Sequence, residues 1–186
     1  MRLRAGIVSC SIDLEMLSHR FHEKLPSTCA FSLSEAEWEL LEERLKAAPM
    51  MVVPLEVSRA EGATQQGAFV TFVSQAQLPQ HILFTPLHQF QQQAGHVAPQ
   101  GLATVYRELS PDKGIVLGRM DVSGLLSKGS AALLVERVAS MYLRDERFVH
   151  TQTFNRNPGA FQFGKVLDLF GFDARSSGAA SAPNSQ

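Results

Sequence analysis

Cysteine is scarce in this chain. Cys10 and Cys29 have neither a CxxC spacing nor a companion pair, so no zinc knuckle and no disulfide framework is indicated, which fits a reducing compartment. An excess of one charge is also lacking. Lys plus Arg number 17 against 18 for Asp plus Glu, and no overall basic field gathers nucleic acid or anionic lipid. No apolar run approaches the roughly 20 residues that span a bilayer, and the opening "MRLRAGIVSCSI" is too polar and broken for a secretory core. Arg2 and Arg4, with no acid before Asp13, give that opening a faint organelle-import character, no stronger than its reading as an ordinary flexible N-terminus.

Catalytic signatures are missing too. A phosphate-binding loop needs closely spaced glycines ending in Lys and then Ser or Thr, and "GKV" at 164–166 has none of the other elements. No GxSxG string exists for a hydrolase elbow. His19 and His22 could share a helix face, but the neighbourhood offers no third or fourth metal ligand, and surface or half-buried histidines are the simpler reading. His81, His88, His96 and His150 are scattered over different segments. Asp112 and Asp121 flank one strand without a cleft for acid–base work. Aromatic residues are not interleaved with basic ones, so a nucleic-acid stacking platform is not expected. These absences predict a protein with no cofactor, no metal, no catalytic residue and no small-molecule substrate. An enzyme whose site assembles from the scattered histidines and carboxylates is the competing class.

What is present reads as an α+β domain on a largely antiparallel, mixed sheet of about six strands flanked by helices. Ser34 and Glu37 form a capping box, and Trp38, Leu41 and Leu45 recur at helical spacing, predicting a helix over 35–47. Strands are expected at 50–57, 68–74, 81–85, 102–109, 115–122 and 148–154, the first demoted to an edge or bulged strand by Pro54. Thr85 and Pro86 read as the start of a short helix that Gly95 ends. Ser110 to Gly114 reads as a hairpin turn, with proline at its first central position and glycine where a positive φ is needed. Ala131 to Tyr142 carries the longest helical stripe, with Arg144 near its C-terminal end. Asn157 and Pro158 read as the cap of a last helix with the stripe Phe163, Val166, Leu167 and Phe170, closed by Gly171. The expected layout is a flexible N-terminus or import-sequence remnant at 1–16, one domain at 17–172 and a disordered tail at 173–186.

Three strings in fixed order carry more than periodicity does: "ILFTPLHQFQQQAG" (82–95), "TVYRELSPDKGIVLGRMDV" (104–122) and "TFNRNPGAFQFGKVL" (153–167). Together they resemble the ATP synthase F(1) assembly-factor family that chaperones the beta subunit. His96 stands where that family usually has an acid, and 58–67 matches it loosely. The resemblance implies an ATP-independent chaperone of the mitochondrial matrix. It would bind the unassembled beta subunit, shield the surface that later faces alpha, and be displaced by the alpha subunit. No nucleic acid and no membrane insertion belong to that role. The specific strings make Thr85, Leu87, Tyr106, Lys113, Phe154, Asn155 and Arg156 the candidate partner-binding residues. The competing reading of the same strings is structural, with Phe154 and Phe161 in the core, Asn157 and Pro158 only capping a helix, and Lys113 only part of the hairpin turn. A module for another partner, such as the role of the alpha-subunit assembly factor, is a further alternative.

Overall fold

A computed structural model of the chain describes residues 25, 27–56, 69–93, 97–124 and 126–172. Cys10, His19, His22, Gly95, His96, 58–67 and the expected flexible N-terminus and tail lie outside them. Six strands, β1 (Thr28–Ser34), β2 (Met50–Glu56), β3 (Phe69–Gln77), β4 (His81–Pro86), β5 (Gly101–Tyr106) and β6 (Ile115–Val122), form one sheet in the order β1-β6-β5-β4-β3-β2. Every neighbouring pair is antiparallel, so the sheet is not mixed.

Alternation along these strands assigns one face to the core. Cys29, Phe31 and Leu33 of β1 lie opposite Met120, Gly118 and Val116 of β6, and the same face continues through Ala103, Ile82, Phe84, Phe72 and Val53. Helices α1 (Glu35–Ala47), α4 (Lys128–Leu143), α5 (Asp145–Arg156) and α6 (Phe163–Leu169) cover it with Trp38, Leu41, Leu45, Leu134, Val138, Met141 and Val166, all buried. The phenol of Tyr142, fully buried, donates to the Ala48 carbonyl oxygen (2.8 Å). Between α1, α4 and the middle of the sheet lies a cavity of about 30 Å³ lined by Phe31, Trp38, Ile82 and Val138 among others. Trp38 Nε1 is the buried side-chain donor without a partner among the described residues.

Pro54 sits on an edge strand, as its missing N–H requires. Its carbonyl oxygen accepts a bond from Arg137 Nη1 of α4 (2.6 Å), and the guanidinium lies about 5 Å from the rings of Phe170 and Phe172. Ser34 and Glu37 form the expected capping box.

Four sequence expectations need correction. "FVHTQTF" is helical, inside α5, rather than a strand. Its Phe and Thr residues suit a sheet, but Phe148 and Thr151 are buried one turn apart, and Asp145 and Glu146 complement the helix start. The sixth strand is instead β1, where small residues, Thr28, Ala30 and Ser32, alternate with the inward Cys29, Phe31 and Leu33. Thr85 does not cap a helix: strand pairing runs through Pro86, and α2 (Leu87–Gln92) begins after it. Asn157 and Pro158 start only a single 3-10 turn, Pro158–Ala160, and α6 begins five residues later, at Phe163.

Candidate functional site

The late string forms a structural joint. α5 ends on it, and Asn155 turns its amide to the start of edge strand β2: Nδ2 donates to the Met50 carbonyl oxygen (2.6 Å) and Oδ1 accepts from the Met50 N–H (3.1 Å). A side chain thus supplies the pair of bonds that another strand would make. Phe154, half-buried, meets Phe161 edge-to-face at 4.9 Å, which clasps the 3-10 turn against α5. Arg156, the last residue of α5, is exposed.

The middle string forms a second joint. Between β5 and β6 the chain makes the one-turn helix α3 (Ser110–Lys113), closed by Gly114 at φ +65°. Buried Ser110 donates from Oγ to Glu35 Oε1 (2.7 Å), and the Glu35 N–H donates to the Gly114 carbonyl oxygen (2.9 Å). The turn therefore receives the N-terminus of α1. Lys113 is exposed on it, and Tyr106, 38% exposed, ends β5 opposite Leu117. In the first string Thr85 is buried in β4 opposite Val73, while Leu87 is half-buried at the start of α2 (Leu87–Gln92).

These seven residues do not share one surface. His81 pairs with Thr104, so Tyr106 lies level with a point two residues before His81, whereas Thr85 lies four residues after it. That offset of six residues is roughly 20 Å along the strands, at ~3.4 Å per residue. Asn155 sits apart from both, at the β2 edge. Phe154, Asn155 and Arg156 stay together, and two of them face inward contacts.

Sequence reasoning missed Val149 and Lys165. Val149 on α5 is 57% exposed, and its outward position becomes readable only once 148–154 is taken as helix. Lys165 lies within the late string, and nothing in the local pattern sets it apart there. The histidines lie on separate elements: His81 on β4 near Thr104 Oγ1 (3.4 Å), His88 on α2 and His150 on α5. Among the described residues no group of three or more His, Cys, Asp or Glu side chains is placed to hold a metal ion, and no helix is long and apolar enough to cross a membrane. Cys29 is buried in β1, and burial pushes its thiol above the ordinary value, which disfavours the reactive thiolate.

By fold and by the placement of its specific strings, this is an α+β domain whose recognisable residues mostly join elements rather than line a catalytic cleft. The particular family follows from comparison: the model of the ATP11 protein family matches residues 12–167, most of the chain. The chain belongs to the ATP11 protein family, whose members are mitochondrial ATP synthase assembly factors acting as chaperones. A search of curated proteins finds no match.

Proposed function

We propose that the protein binds the unassembled beta subunit of F(1)-ATPase in the mitochondrial matrix, covers its alpha-facing surface, and gives it up when alpha arrives. The observation that carries this reading is the family match over residues 12–167. Physical chemistry supports such a role. An isolated subunit exposes a broad surface destined for burial, and exposed apolar patches recruit wrong partners. A placeholder has to bind that surface more weakly than the final partner does, so that competition alone removes it. The cycle then needs no ATP hydrolysis and no chemistry by the chaperone. Of the seven candidate contact residues, exposure favours Arg156, Lys113 and Tyr106, whereas Asn155 and Phe154 act by holding the joint at the β2 edge.

The test is capture of isolated alpha and beta subunits by the purified chain without nucleotide, followed by a challenge with excess alpha. The expected result is selective capture of beta and its release on adding alpha. Retention of beta in the presence of excess alpha would reject displacement, and absence of capture would reject beta as the partner.

A further inference from the structure

Where α5, the Pro158–Ala160 turn and α6 meet, a surface groove of about 150 Å³ opens, lined by Val149, His150, Thr153, Ala160, Phe161, Gln162 and Lys165. Its lining is part apolar and part polar, with Lys165 the one lysine or arginine in it. Val149, Ala160 and Phe161 form the floor, and Val149 has the largest exposure of any large apolar side chain among the described residues. The Thr153 hydroxyl is turned back to the Val149 carbonyl oxygen (2.8 Å), so it does not make the floor polar. No carboxylate lines the groove, and among the described residues Lys165 makes no ion pair. The nearest acids in sequence, Glu146 and Asp168, stand one turn away along each helix and outside the lining.

We infer that this groove is the contact point for a segment of the beta subunit that offers one large apolar side chain beside a carboxylate. The inference rests on the beta-binding reading and gives it a location and a chemistry. A space of this size accepts a benzene-sized group, and hence a single Leu, Ile or Phe side chain. An apolar pocket rimmed by polar groups is the usual form of an interaction site, with the buried anchor supplying affinity. Lys165 supplies charge complementarity to the flanking carboxylate, which selects among apolar segments. The family's late string acquires a second role here: Phe154 and Asn155 set the joint, and the joint presents the groove.

The test uses the whole chain with Val149→Asp and Lys165→Glu, each measured for capture of isolated beta at low and at moderate salt. Both side chains are exposed, so thermal melts coincident with the unsubstituted chain are expected; Val149→Ser replaces Val149→Asp if the latter melts early. The expected result is capture weakened roughly tenfold or more by either change. Salt should weaken the unsubstituted chain more than Lys165→Glu. If the unsubstituted chain captures beta and either variant stays within about twofold of it, the groove assignment is overturned while the beta reading stands. If the unsubstituted chain captures no beta, the reading itself fails and the groove assignment fails with it.

Discussion

At the scale of single residues, Asn155 shows how an amide can stand in for a strand. Its two bonds to Met50 occupy an N–H and a C=O at the open edge of the sheet, where unpaired backbone invites association. Replacing it with Ala leaves both groups to water, and we expect a loss of about 1–2 kcal/mol. Asn155→Asp should be worse, because a carboxylate cannot donate and would face the Met50 carbonyl. Urea midpoints at unchanged m measure both, and an Asp variant as stable as the parent would show that the edge is solvated rather than capped. None of this was readable from the string. The residue that the Asn155 amide bonds lies 105 residues away in sequence, beyond the reach of any local pattern. Gly114 is the opposite case: a glycine closing a Pro-containing turn announces a positive φ by local sterics alone, and the backbone has it at +65°.

At the scale of elements, the β1–β6 pair turns on one glycine. Gly118 lies opposite Phe31, and a Cβ at that position would sit 2.1 Å from the ring. The bare backbone gives the ring a bed, and the ring in turn lines the cavity beneath α1 and α4. Gly118→Ala should therefore destabilise by about 1–3 kcal/mol through overpacking. Much of that loss should vanish in a Phe31→Ala background, read as a double-mutant coupling in chemical denaturation. An equal loss in both backgrounds would mean that the ring is free to move aside. Elements with strong local punctuation were legible: the capping box of α1 and the run Ile115–Val122 fall where the pattern puts them. Misplaced elements were those whose propensity and environment disagree, as in α5, where β-formers are overruled by packing against α4 and β2.

At the scale of the whole molecule, α4 touches both edge strands, β1 and β2, so one helix spans the core face of the sheet. Tyr142 near its end is fully buried, and burial pushes the phenol well above its ordinary value near 10. The folded chain thus keeps a proton that the unfolded chain releases. Stability from this group is complete below about pH 10 and falls as pH rises beyond it, because the unfolded state then binds fewer protons. Tyr142→Phe removes that slope, and at neutral pH it costs about 1 kcal/mol through the lost bond to Ala48. The two stability curves should converge as pH rises through about 10. Curves that stay parallel would show that the hydroxyl is not shielded from water.

Composition and spacing by themselves determined the α+β class, the helix at 35–47 and, through three ordered strings, the family. Such features depend on interactions within a few residues or on the pattern as a whole, and both are written along the chain. Tertiary structure alone decided which strand completes the sheet, that the Pro54 strand lies at its edge, that Asn155 bonds Met50, that Thr85 lies level with Val73 and far from Tyr106, and that Val149 and Lys165 line one groove. Each of these joins residues distant in sequence, and only the packing of helices onto one face of the sheet brings such residues within reach of each other.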